Sequence, residues 1–202
     1  MNIDLATISA SNVYHLMVQS LIPRPIAWVL SEYEGGGFNV APFSYFNAIS
    51  SDPPLLMLSI GKKPGGDKKD TRVNIIERSH FVIHLPRCDQ AEQVNTSSKT
   101  LAAGDSELQL INEELCEFEG FSLPRIKNCP VAFACERYRV EDITDTQALI
   151  IGRVRQVYLA DEVIHSEAGR LHVDAKAVDP LMRLGGTQYA SLGSIFAIDR
   201  PK

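Results

Sequence analysis

Ile26-Ala27-Trp28-Val29-Leu30, then Glu34-Gly35-Gly36-Gly37, then Phe38-Asn39-Val40-Ala41-Pro42-Phe43 reads as strand, turn, strand. Apolar and β-branched residues flank a glycine run that tolerates positive φ, the pattern of an antiparallel hairpin. Residues 55–60, 81–85, 131–140 and 148–158 add four more strand-like runs. Helical patterns are fewer. In residues 9–21, Val13, Leu16, Met17 and Leu21 share a face and Ser9 or Ser11 can cap; Pro23 and Pro25 then stop the helix. In residues 70–78, Asp70 or Thr71 is available as the cap. Parallel βαβ units need regular helical crossovers, which this pattern lacks. The residues therefore predict a closed or partly closed antiparallel barrel with helical decoration.

Composition narrows the function classes. The chain has 202 residues, 45% hydrophobic and 22% charged, which is globular and predicts one domain over residues 1–202. With 20 basic and 25 acidic residues the net charge is −5, a poor balance for gripping nucleic acid. No apolar run approaches the roughly 18 residues of a membrane span. No signal or lipidation motif is visible at the termini, so a cytoplasmic location is expected. Cys88, Cys116, Cys129 and Cys135 form no CxxC pair, which predicts reduced structural thiols rather than a zinc site or disulfide framework.

The usual catalytic templates find no match. His80 and His84 are four apart, but on a strand that spacing spans about 13 Å, so no metal site is expected. His15, His165 and His172 read as surface or packing residues. Nucleophile-elbow, P-loop and dinucleotide-binding motifs are missing. Cys88 follows a strand, yet no base partner can be placed beside it from sequence. No catalytic side chain is assigned.

Three stretches stand out instead. Ile22-Pro23-Arg24-Pro25-Ile26 is a rigid entry into a strand. The segment from Asn39 to Pro54 interleaves Asn and Ser with aromatic and small apolar residues, as a planar heterocycle requires. The segment from Ser59 to Thr71 joins a glycine-containing lysine loop to a helix start, where orphan N–H groups and an ammonium suit one phosphate. Its surroundings are locally basic: residues 62–78 hold six basic and three acidic side chains, whereas residues 101–120 hold six acidic and no basic ones.

Together these stretches resemble the flavin reductase-like family of FMN-binding split barrels. The resemblance rests on Pro23-Arg24-Pro25-Ile26-Ala27-Trp28-Val29, Asn39-x-Ala41-Pro42-Phe43-Ser44, Asp52-Pro53-Pro54 and Lys69-Asp70-Thr71-x-x-Asn74-Ile75. It continues through Pro124-Arg125-Ile126, Pro130-Val131, Ile151-Gly152-x-Val154 and Pro180-Leu181-x-Arg183-Leu184-Gly185-Gly186-x-x-Tyr189. It implies a mainly β fold, a six-stranded antiparallel split β-barrel with Greek-key connections and a few peripheral helices. It also implies a homodimer with FMN near the subunit interface. By position, Asn47, Ala48, Ile49 and Ser50 would border the isoalloxazine, largely through backbone groups. Ser59, Lys69 and Thr71 would face the phosphate, Arg24 the phosphate or ribityl chain, and Arg183, Gly185, Gly186 and Tyr189 the rim.

The activity implied is hydride transfer from NADH or NADPH to N5 of FMN, with electrons passed on to a downstream oxygenase or redox protein. An FMN-containing electron carrier of the flavoredoxin type, reduced by a protein donor, is the alternative. A haem-binding barrel is a third reading, disfavoured because no histidine holds an axial position.

Overall fold

The computed structural model describes residues 1–102, 104–167 and 169–201. Seven strands, β1 (Ala27–Glu32), β2 (Phe38–Phe43), β3 (Phe46–Ser51), β4 (Pro54–Gly61), β5 (His80–Leu85), β6 (Val131–Asp142) and β7 (Gln147–Leu159), form one sheet. Its order is β2-β1-β5-β6-β7-β4-β3, with every neighbouring pair antiparallel. The expected strand count of six is corrected to seven. The extra strand is β3, because the segment from Asn39 to Ser51 breaks at Ser44-Tyr45 instead of running as one strand.

That break determines the shape of the sheet. β2 and β3 stand at opposite ends of the strand order, yet only Ser44 and Tyr45 join them. Laid flat, seven strands would put those ends about 29 Å apart. The link from Phe43 to Phe46 reaches about 11 Å at full extension. The sheet is therefore rolled until its ends nearly meet. Tyr45 marks the approach by accepting the Ser59 N–H of β4 at 2.9 Å. No ladder pairs β2 with β3 among the described residues.

Rolling gives the sheet two apolar faces. Inside, Ala27 and Val29 of β1 meet Leu56, Leu58 and Ile60 of β4, Phe81 and Ile83 of β5, Cys135 of β6 and Ile150 of β7. Ile75 of the helix α2 (Asp70–Arg78) joins the same cluster. Outside, Trp28 and Leu30 pack with Val82, Ala132 and Ala134 under Ile111, Phe118, Leu123 and Ile126. Both faces of β1 are thus covered, which is why its sequence is a continuous apolar run rather than an alternating one. Ladder irregularities in β6/β7 and β3/β4 supply local curvature. Gly152 sits at one of them; a Cβ there would lie 2.5 Å from the Phe81 ring. The glycine is required by packing.

Polar bonds tie the outer layer to the sheet. Trp28 Nε1 donates to Ser97 Oγ at 2.9 Å, fastening the end of the helix α3 (Ala91–Thr96), which was not foreseen, to β1. His84 is fully buried: its Nδ1 meets the Trp28 carbonyl oxygen and its Nε2 accepts the Ile126 N–H, both at 2.9 Å. Both ring nitrogens are used by the backbone, so His84 is a structural bridge. The remaining helix of the N-terminal half, α1 (Ala10–Ser20), is capped by Ser9, whose Oγ accepts the Asn12 N–H. Its predicted apolar face is only half used, since Met17 and Leu21 remain exposed. No helix among the described residues is long and apolar enough to cross a membrane.

Burial pushes the His84 imidazolium down from 6.5 to about 4, the Trp28 carbonyl opposing and the Arg125 charge adding to the shift. Between these values the unfolded chain binds a proton that the native state refuses. Stability should therefore hold above about pH 6.5 and fall by on the order of 3 kcal/mol as the pH drops to about 4. Urea unfolding across this range checks it. A His84→Gln variant should lose that part of the slope; an unchanged pH profile would refute the assignment.

Candidate functional site

The outer edge of β2 is lined by two adjoining cavities, which share Pro42 and Ser98 in their walls. The first is built around the start of α2. Lys69 is the N-cap residue, in extended conformation, and contributes no side-chain acceptor to the helix; neither Asp70 nor Thr71 takes the expected capping role. The Arg72 and Val73 N–H groups go to the Lys69 carbonyl oxygen, at 2.9 and 3.1 Å, and those of Asp70 and Thr71 are left without a side-chain partner at the positive end of the helix.

The side chains around that helix start are ordered by charge. Asp70 is neutralised by Lys63, Nζ to Oδ1 2.8 Å. Lys69 has no carboxylate partner among the described residues, and its Nζ lies 5.4 Å from the centre of the Phe43 ring. Partial burial pulls its ammonium pKa below the usual lysine range. Thr71 is buried and its Oγ1 accepts from Asn39 Nδ2 at 2.8 Å, which leaves the hydroxyl proton available to the cavity. Glu107, from the acidic stretch, closes the wall; its Oε2 accepts the Val40 N–H at 3.0 Å, and desolvation raises its pKa. Ser98, Lys99 and Thr100 overhang from the end of α3, held there by the Trp28–Ser97 bond.

The second cavity is walled by Ile26, Pro42, Phe43 and Val94, with Ser44, Asn95, Arg183 and Tyr189 as its polar groups. A short ladder pairs Arg24–Pro25 with Met182–Arg183, and the latter with Tyr189–Ala190. The Arg183 guanidinium lies 4.4 Å from the Tyr189 ring centre, and the Tyr189 hydroxyl donates to Asn95 Oδ1 at 3.3 Å. Arg183 Nη2 donates to the Gly186 carbonyl, whereas Nη1 is buried without a partner among the described residues.

The structure thus brings Lys69 and Thr71 into one cavity and Arg183 and Tyr189 into its neighbour. It places the other expected residues elsewhere. Arg24 is buried and committed inwards: Nη1 donates to the carbonyls of Val18 and Leu21, Nη2 to that of Leu184, and Nε to Ser44 Oγ. Ser59 accepts from Gln147 Nε2 at 2.7 Å and lines neither cavity. Asn47, Ala48 and Ile49 are exposed along the edge strand β3, with Ser50 half-buried beside them. Gly185 packs on α1, where a Cβ would lie 3.1 Å from the Gln19 backbone, and Gly186 has φ +59°. Glu107, the Ser97–Thr100 overhang and the bond from Asn39 to Thr71 were not foreseen; the hydroxyl-rich Ser97-Ser98-Lys99-Thr100 run was the available signal for the overhang.

Side chains considered for direct chemistry are otherwise occupied. His80 Nδ1 meets Ser122 Oγ at 2.8 Å. Burial, reinforced by Asp179, pushes the Cys88 thiol up to about 11, away from thiolate character. Cys129 and Cys135 are buried, and their thiols are raised by desolvation.

Two adjoining clefts, one lined by lysines and one walled by rings, lie along the edge of a mainly β fold. Residues 19–181 match the family model of the flavin reductase like domain. The protein YwrF of Bacillus subtilis is 37% identical over 199 residues, covering 96% of each chain. Nitrilotriacetate monooxygenase component B from Bacillus cereus superposes with a TM-score of 0.88 at 32% identity, over 98% of each chain. The 2-nitrobenzoate 2-nitroreductase of Pseudomonas fluorescens superposes at 0.89 and 29% identity, over 100% of this chain and 96% of that one. The chain belongs to the flavin reductase-like family of flavin-linked oxidoreductases.

Arg24→Gln breaks several charge-assisted bonds to carbonyl oxygens at once, and should cost roughly 3 kcal/mol of stability. Thermal unfolding measures the loss. Undiminished stability with weakened flavin binding would instead make Arg24 a ligand contact.

Proposed function

We propose that this chain is an NAD(P)H-dependent flavin reductase that binds FMN, acting as one domain over residues 1–202 in a cytoplasmic homodimer with a split-barrel core. The observation that carries the reading is Lys69. It is a partly buried ammonium without a carboxylate partner, beside uncapped N–H groups, and one cavity away from a ring-lined cleft. A phosphate fits the first cavity, where the α2 start, Lys69 and the Thr71 hydroxyl all offer donors. A flat heterocycle fits the second, where Phe43 and Tyr189 supply apolar surface and the spare Arg183 Nη1 meets an acceptor.

Bound FMN would supply the chemistry: it accepts hydride at N5 from the nicotinamide and passes electrons to a second acceptor. The chain's residues bind and orient. Lys69 and Thr71 anchor the phosphate end, Glu107 holds the β2 edge in place through Val40, and Arg183 offers positive charge at the ring end. No side chain needs to move a proton, which accords with His80, His84 and Cys88 being engaged in structural bonds or held protonated. Asn47–Ser50 lie on an exposed edge, so their proposed role beside the ring belongs to a groove completed by a second copy. Exposed Tyr14, Met17, Leu21 and Ile22 around α1, and Ile195, Phe196 and Ile198 near the C-terminus, give that copy apolar surface to cover. The name of the Bacillus cereus neighbour makes it one component of a monooxygenase. That supports an oxygenase as the downstream acceptor here.

Removing both phosphate anchors with Lys69→Ala and Thr71→Val should weaken FMN binding about 30-fold, or about 2 kcal/mol, as read by quenching of flavin fluorescence. Unchanged FMN retention would refute the phosphate assignment. Anaerobic addition of NADH and of NADPH to the yellow protein tests the activity itself. Rapid bleaching of the flavin band by either nucleotide is expected. Reduction by a protein donor alone would make the chain an electron carrier.

A further inference from the structure

A second cluster of ligating side chains lies on the hairpin formed by Ile164–Glu167 and Arg170–Val173, which belongs to its own two-stranded sheet. The register pairs His165 with His172 and Glu167 with Arg170. Directly opposed residues of an antiparallel pair point to the same side, and so do residues two apart on one strand. His165, His172 and Glu167 therefore share one face. The two imidazole rings are stacked, with centroids 5.5 Å apart and planes 17° from parallel. One ligand atom from each of the three residues lies within 4.8 Å of the other two. Glu167 makes no ion pair among the described residues, although Arg170 faces it in register.

We infer that His165, Glu167 and His172 form a binding site for a divalent late transition metal of the Zn²⁺ class. Two imidazole nitrogens and one carboxylate oxygen are a donor set that Zn²⁺ accepts, with the fourth tetrahedral position left to solvent. Metal–ligand bonds of about 2.0–2.2 Å require donor atoms roughly 3.3 Å apart. Small rotations of three exposed side chains bring 4.8 Å down to that. The hairpin gives the metal a structural task. Its strands are four residues each, its side chains are almost all exposed, and Leu171 and Val173 are 64% and 46% accessible. A two-stranded ribbon with so little apolar cover is marginal by itself. Its base is tied to the body through the Asp174 N–H to the Val163 carbonyl oxygen at 2.8 Å, and a bound cation would cross-link the two strands above that tie. The site shares no residue with the two cavities along β2, and so stands or falls apart from flavin binding.

Calorimetric titration of the EDTA-treated, tag-free protein with ZnCl₂ tests this. One Zn²⁺ per chain is expected, with affinity lowered about tenfold or more by His165→Ala and by His172→Ala, and unchanged by His15→Ala. Amide hydrogen exchange gives a second reading, with Zn²⁺ slowing exchange across residues 164–173 of the wild-type protein and not of the double variant H165A/H172A. An absence of binding heat, half a metal per chain, or an isotherm that survives the double variant would overturn the inference.

Discussion

The two-residue link Ser44-Tyr45 is the constraint on which the rest of the structure depends. It joins the two edge strands of a seven-stranded sheet, and a flat sheet cannot satisfy it. Rolling follows, and rolling buries the inner face of six strands in one apolar cluster. The outer face must then be covered as well, because Trp28, Leu30, Val82 and Ala132 alternate onto it. Residues 108–129 and α3 supply the cover. Their attachment is polar and specific: Trp28 to Ser97, and His84 to both Trp28 and Ile126.

The site is a consequence of the same closure. β2 is an edge strand, so its outer side has no neighbouring strand and lies open beside the α2 start and the α3 overhang. An open edge normally invites further strand pairing. Here Glu107 occupies the Val40 N–H, and the Ser106 hydroxyl donates to the Phe38 carbonyl oxygen. The acidic stretch and the basic loop, far apart in sequence, meet across this cleft. Within the basic loop Lys63 neutralises Asp70, from the acidic stretch Glu107 turns to the backbone, and Lys69, like Lys99 of the overhang, faces the cavity without a carboxylate partner among the described residues. Coulombic attraction for an incoming anion is strongest where such a charge is partly desolvated and has no internal partner.

Much of the fold was legible because strands buried on one or both faces announce themselves as apolar runs. β1, β2, β4, β5, β6 and β7 fall within a few residues of the expected segments, and α2 coincides with residues 70–78. β3 was not legible as a separate strand. Its residues Asn47, Ala48, Ser50 and Ser51 carry no alternating apolar signal, since an edge strand with exposed side chains needs none. α3 is six residues long with no side-chain cap, below what periodicity can resolve. In the candidate site, the pattern of a lysine loop entering a helix points to Lys69 and Thr71, which the structure brings into one cavity. The contacts of Asn39 and Glu107 were not legible, because each is made with a residue more than 30 positions away. The surroundings of Arg24 were not legible either: only the tertiary structure brings the Val18, Leu21 and Leu184 carbonyls to its guanidinium.

By itself, then, the order of residues determined the antiparallel class, the identity of the buried strands and the family motifs, since these depend on local periodicity and on which side chains leave water. Tertiary structure alone decided the number of strands, the roll, the partner of each charge and the side chains that share a cavity. Those outcomes depend on distances between residues remote in sequence, and chain connectivity constrains such distances only after the sheet has closed.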